Sequence, residues 1–180
     1  MRIISGKARG TKLYTLEGEN TRPTLDRVKE SIFSIIQGEI EGAKILDLFA
    51  GSGAIGLEFL SRGAEEAVLC DNSKEAINII KKNIEKTHME EKVKLINTDF
   101  EKCLEKISNE KFDIIYLDPP YDTNYIYKAI KKIIDLNIAK EESLVIIETD
   151  DEQRVEQEIE KLEINIVDKR KYGRATIIFL

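Results

Sequence analysis

From Lys44 onward, short apolar runs alternate with stretches whose apolar residues recur at helical spacing. KILDLFA (44–50), AVLCD (67–71), VKLINTD (93–99), FDIIYLDPP (112–120) and SLVIIETD (143–150) read as strands. LEFLSRG, residues 72–88 with Ile77, Ile80 and Ile84 on one side, FEKCLEKIS from Phe100, and residues 124–137 and 152–163 read as the intervening helices. Strands that are apolar throughout, separated by helices, predict a parallel sheet covered on both faces. INIVDKRKYG and ATIIFL predict a terminal antiparallel pair.

Residues 1–43 depart from this rhythm. RIIS and TKLYTL bracket the Gly6–Gly10 stretch and predict a small hairpin. TLDRVKESIFSIIQ (24–37) predicts a helix with Val28, Ile32, Phe33 and Ile36 inward and Thr24 as its N-cap. Forty-odd residues rarely sustain a core alone, so 1–43 is expected as an extension packed on a 44–180 body.

With 180 residues, 42% of them hydrophobic, one domain is expected and a disordered chain is excluded. No apolar run is long enough to span a bilayer, and the basic N-terminus lacks the apolar segment of a secretory signal. Cys70 and Cys103 read as reduced thiols of a cytoplasmic protein, and His88 as a helix-end residue; none has metal-site spacing. The net charge of −6 argues against a nucleic-acid partner. Its distribution argues otherwise: residues 1–16 carry +4, residues 169–180 carry +4, and the residues between carry −14. Basic groups on ordered ends make a phosphate-binding surface.

Gly51-Ser52-Gly53-Ala54-Ile55-Gly56 follows the first strand and opens a helix, and Asp71 ends the next strand twenty residues beyond Gly51. Glycines there let a nucleotide approach the backbone, and the acid at that distance accepts from ribose hydroxyls. Asp47, four residues before Gly51, is unfavourable beside a pyrophosphate but suits a cationic ligand. S-adenosylmethionine carries a sulfonium and an α-amino group, so the pattern favours it over a nicotinamide dinucleotide. Asp99 and Phe100, ending the third strand, are expected at the adenine.

The fourth strand stops at Asp118-Pro119-Pro120-Tyr121. Two prolines remove two amide donors, leaving Asp118 and the Pro119 carbonyl as acceptors in a rigid corner. The two hydrogens of an exocyclic base amine fit such a pair, and Tyr121 offers a face for a flipped base. The corner also falls near a topological switch point of the sheet.

RIISGKARGTKL, RPTLDRVKESIFSII, ILDLFAGSGAIGLE, VLCD, FDIIYLDPPY and KYGRATIIF together resemble the RsmD-like group of class I S-adenosylmethionine-dependent methyltransferases, which act on guanine N2 in small-subunit (16S) ribosomal RNA. The resemblance implies a Rossmann-like α/β fold with a mostly parallel seven-stranded sheet, a terminal antiparallel strand and a small N-terminal hairpin-helix extension. It implies that Asp47, Gly51, Gly53, Gly56, Asp71, Asn72, Asp99 and Phe100 bind the cofactor and that Asp118, Pro119, Pro120 and Tyr121 hold the target amine. Arg22, Thr24 and Arg27 would wall the pocket, and Lys7, Arg9, Lys171 and Arg174 would contact RNA phosphates. The expected protein is a monomer with an RNA or small-subunit partner, no membrane association and no metal. A DNA amino-methyltransferase (adenine N6 or cytosine N4) and a protein glutamine methyltransferase share the corner and stand as alternatives. A nicotinamide dehydrogenase explains neither Asp47 nor the two prolines, and a non-catalytic module needs no such corner.

Overall fold

In the computed structural model, residues 1–16, 23–120 and 123–180 are described, the side chains of 23–25 excepted. Seven strands form one sheet: β1 (Lys44–Asp47), β2 (Glu66–Asp71), β3 (Val93–Asn97), β4 (Phe112–Leu117), β5 (Ala139–Thr149), β6 (Asp168–Tyr172) and β7 (Ala175–Phe179). Their order is β3-β2-β1-β4-β5-β7-β6, with β1 to β5 parallel and β7 antiparallel to both neighbours. Among the described residues, six α-helices complete the fold: α1 (Pro23–Ile35), α2 (Ala54–Ser61), α3 (Lys74–Thr87), α4 (Phe100–Lys106), α5 (Tyr125–Asp135) and α6 (Glu152–Glu160). The Rossmann-like architecture matches the expectation from the sequence.

Alternation along each buried strand feeds two cores. Ile45, Leu69, Ile114, Tyr116, Ile146 and Ile177 point to the side covered by α1, α2 and α3. Leu46, Val68, Ile115, Leu117, Ile147 and Ile178 point to the side covered by α4, α5 and α6. Helix α2 leaves β1 toward the first side, and α5 leaves β4 toward the second. Since β1 pairs directly with β4, a crevice opens between them at the carboxyl ends of the strands.

Several boundaries differ from the sequence reading. Strand β1 stops at Asp47 rather than residue 50, because the chain then turns into the glycine loop. Strand β5 starts at Ala139, upstream of the expected Ser143: its polar first residues are held by the Phe112–Ala139 pairing and by Lys140 on Asp113 at 2.7 Å. Helix α1 begins at Pro23, which places Thr24 inside the first turn and not at the N-cap. His88 closes α3 in a left-handed conformation, in keeping with its reading as a helix-end residue.

The expected hairpin is a short one: Arg2 bridges Lys12 in antiparallel fashion, and the Ile3 and Leu13 N–H groups donate to the Thr11 and Met1 carbonyls, each at 3.0 Å. Its position is set by side chains of the body. The buried Glu58 carboxylate accepts the Ile4 and Ser5 N–H groups at 2.8 and 3.0 Å and pairs with Lys29 at 3.2 Å. Lys29 donates onward to the Arg2 carbonyl, and burial, partly offset by Glu58, lowers its pKa. Ser61 accepts the Ala8 N–H through Oγ and the Lys7 N–H through its carbonyl. Asn83, fully buried on α3, bonds both backbone groups of Tyr14 and the Ser52 carbonyl, so the first segment and the glycine loop share one anchor.

The tightest contact of this arm is at Gly6, where φ is +82° and a Cβ would meet the Ser61 carbonyl oxygen at 1.7 Å. We expect Gly6→Ala to lift the arm and cost about 1–3 kcal/mol by overpacking and backbone strain. A lower urea midpoint at unchanged slope is the check; an unchanged midpoint would contradict the contact.

Candidate active site

The crevice is a cavity of about 1520 Å³, and Asp47, Gly51, Asp71, Asn72, Asp99, Phe100, Asp118, Pro119, Pro120 and Arg174 all line it. Residues distant in sequence meet there because each ends a strand, follows a strand's carboxyl end or, for Arg174, precedes the antiparallel β7 at the same edge. The glycines divide by role. Gly51 borders the cavity and donates its N–H to Asp71 at 2.9 Å. Gly53 caps α2 with φ at +77° and Gly56 packs on Leu69, where an added Cβ would come within 2.2 Å of a side-chain carbon. Neither lines the cavity: Gly53 shapes the turn and Gly56 lets α2 approach the sheet.

The carboxylates likewise prove unequal. Asp71 accepts from Gly51 N–H through one oxygen and from Ser73 N–H at 2.8 Å through the other, which fixes it at the loop with one lone pair of each oxygen still to offer. Asp99 caps α4: its carboxylate accepts the Lys102 N–H at 3.0 Å and pairs with the Lys102 ammonium at 3.1 Å, so the Lys102 hydrogen bonds lower its pKa. Sequence reading assigned Asp99 to a ligand and missed this capping role, although an Asp directly before the helical run from Phe100 was the available signal.

Phe100 stands in an aromatic group with Phe49 and Tyr125, at centroid separations of 5.4 and 5.0 Å. Phe49 and Tyr125 were not assigned to the site from sequence; both line the cavity, whereas Tyr127 does not. Asp118 is half-buried, Pro119 buried and Pro120 exposed. The Pro120 carbonyl accepts the Thr123 hydroxyl at 2.9 Å, and no described donor reaches the Pro119 carbonyl. Tyr121 lies outside the described residues.

Among the basic candidates, Arg22 lies outside the described residues and the Thr24 side chain is not described. Lys7, Arg9 and Arg27 are exposed and do not line the cavity, and no ion-pair partner for them occurs among the described residues. The C-terminal run is largely neutralised by acids that are distant in sequence or adjoin it. Lys169 pairs with Glu152 and Glu156 at 2.5 Å, Lys171 reaches Glu152 at 3.5 Å, and Arg170 pairs with Asp168 at 2.9 Å. Lys171 also stands outside the cavity lining, so of this run only Arg174 reaches the cavity. Among the described residues, no cluster of His, Cys, Asp or Glu could hold a metal, and no helix is long and apolar enough to cross a membrane.

Asp47 is 1% exposed and accepts the Gly56 N–H at 3.2 Å. Burial pushes its carboxyl up to about 7, the Gly56 N–H opposes this, and the Asp71 charge adds to the rise. No cation pairs with it among the described residues, so a cationic ligand entering the cavity would supply the missing partner. Because the folded-state value exceeds the ordinary one of 3.8, the stability it contributes is complete below about pH 4 and is lost as pH rises to about 7. A shift of this size corresponds to about 4 kcal/mol. We expect ligand-free Asp47→Asn to gain about that much relative to wild type between pH 4 and 8 in urea unfolding; parallel curves would contradict it.

The family described as Conserved hypothetical protein 95 matches residues 1–180. Ribosomal RNA small subunit methyltransferase D of Haemophilus influenzae is 38% identical over 152 residues, covering 83% of this chain and 79% of its own length. The protein of the same name from Escherichia coli K12 is 33% identical over 150 residues, covering 83% and 75%. The solved structure of the candidate methylase HI0767 from Haemophilus influenzae superposes with a TM-score of 0.79 at 30% identity, over 99% of this chain and 96% of that one. Matched along its whole length and more than 30% identical to those relatives over most of theirs, the chain belongs to the Conserved hypothetical protein 95 family, the RsmD-like methyltransferases that its motifs resemble.

Proposed function

We propose that this protein transfers a methyl group from S-adenosylmethionine to the exocyclic N2 of a guanine in small-subunit (16S) ribosomal RNA. The observation that carries the reading is the meeting, in one cavity, of a cation-seeking buried Asp47 and the Asp118-Pro119-Pro120 acceptor corner. A dehydrogenase has no use for that corner. The DNA and glutamine alternatives share it, but relatives named as ribosomal RNA methyltransferases align over 75–79% of their own length, whereas a release factor glutamine methyltransferase aligns over 30% of its own.

S-adenosylmethionine supplies an electrophilic methyl on a sulfonium, so the protein has mainly to align the acceptor and exclude water. Asp47 favours the cationic end of that molecule, Asp71 and Asn72 its ribose, and Phe100 with Asp99 its adenine. Asp118 and the Pro119 carbonyl accept the two hydrogens of the target amine, which turns the nitrogen lone pair toward the methyl. The proton released after transfer passes to Asp118 or to water. The 1–43 extension, with Lys7 and Arg9 exposed on an arm clamped to α2, serves as an RNA contact, and Arg174 brings a phosphate to the cavity mouth.

Asp118→Ala is expected to lower kcat at least 100-fold while S-adenosylmethionine still binds, in a tritium-transfer assay on small-subunit particles and free 16S rRNA with nucleoside mass spectrometry of the product. Full activity would remove the corner from the chemistry. Arg174→Ala is expected to weaken RNA binding and to reduce the slope of log K against log salt by about 1, whereas Lys171→Ala, already paired with Glu152, changes it less. Equal slopes for the two variants would contradict the division of the basic run.

A further inference from the structure

Glu148 lies near the carboxyl end of β5, and the Leu117–Ile147 pairing places it beside Asp118, one residue farther along each chain. Adjacent strands run about 4.8 Å apart, so the two carboxylates border the same part of the cavity, and both line it. The buried Tyr116 hydroxyl donates to Glu148 Oε2 at 2.5 Å, which sets the plane of the carboxylate. Oε1 receives no hydrogen bond among the described residues, and no Lys or Arg pairs with Glu148 there. A carboxylate held in a protein-lined cavity with one oxygen unserved favours a ligand that brings a donor.

An acceptor corner alone does not choose among bases, since adenine N6, cytosine N4 and guanine N2 are all amines with two hydrogens. The ring nitrogen next to the amine does differ. In guanine, N1 carries a hydrogen; adenine N1 and cytosine N3 carry lone pairs. A carboxylate facing that atom accepts from guanine and repels the other two. We propose that Glu148 reads the edge of the target base, accepting the N1–H of guanine through Oε1 while Asp118 and Pro119 hold the neighbouring N2. This deepens the reading above and rests on it. Tyr116 acts as the positioning residue that orients Glu148.

The test uses full-length protein and 16S rRNA fragments carrying either guanine or 2,6-diaminopurine at the methylated position, once mass spectrometry of ribonuclease-generated oligonucleotides has located it. 2,6-Diaminopurine keeps the 2-amino group but presents a lone pair at N1. Wild type is expected to prefer guanine at least tenfold in kcat/KM. Glu148→Gln, whose amide can donate to that lone pair, is expected to reduce the preference at least tenfold with S-adenosylmethionine affinity unchanged. Equal use of the two bases by wild type overturns the proposal without any variant. So does a Glu148→Gln protein that binds S-adenosylmethionine normally and keeps the wild-type preference. Either result alongside methylation at guanine N2 removes the role of Glu148 alone, whereas methylation of another base or atom removes the underlying reading as well.

Discussion

Strands β1 and β4 are hydrogen-bonded neighbours, yet the helices that follow them cover opposite faces of the sheet. That divergence leaves their carboxyl ends uncovered, and the site derives from it. Asp47 ends β1 opposite Tyr116, and Asp118 follows β4 two residues beyond that partner, so the two halves of the chemistry lie on neighbouring strands at one edge of the sheet. Gly56 makes the arrangement compact: without a Cβ it lets α2 lie against Leu69, and its N–H then reaches the Asp47 carboxylate.

A second constraint links the N-terminal arm to this crevice. The Lys29–Glu58 pair is almost fully buried, a placement in which desolvation offsets much of the Coulomb attraction. What the pair adds is direction. Lys29 takes the Arg2 carbonyl and Glu58 takes the Ile4 and Ser5 N–H groups, so the arm has one place to lie. Asn83 extends the same logic from Tyr14 to the Ser52 carbonyl in the glycine loop. The exposed Lys7 and Arg9 are therefore carried on backbone tied to the body that holds the cavity.

Much of this was legible along the chain because parallel strands buried on both faces are apolar throughout, and amphipathic helices repeat with their own period. The glycine loop, Asp71 and the proline corner were legible because each needs particular residue types at fixed separations. Less legible were features that depend on partners far away in sequence. The polar start of β5 reads as loop until Phe112 and Asp113 are beside it. Gly53 and Gly56 match a ligand-binding pattern, yet their neighbours are Ile80 and Leu69. Asp99 matches a ligand acid and serves α4 as a cap.

Charge shows the division most clearly. The linear sequence established an acidic body with a basic run at each end, because formal charge and strand periodicity are local properties. Which of those charges remain available is a matter of distance, and distance belongs to the folded chain. Acids of α6, together with Asp168 on β6 itself, neutralise Lys169, Arg170 and Lys171, while the β6–β7 turn carries Arg174 to the cavity. Glu148 makes the same point from within: in sequence it is one acid in an apolar strand, and only the register of β5 on β4 puts it beside Asp118 and under the Tyr116 hydroxyl. Composition and period determined the sheet, the loop and the corner; packing decided which polar groups face one another across them.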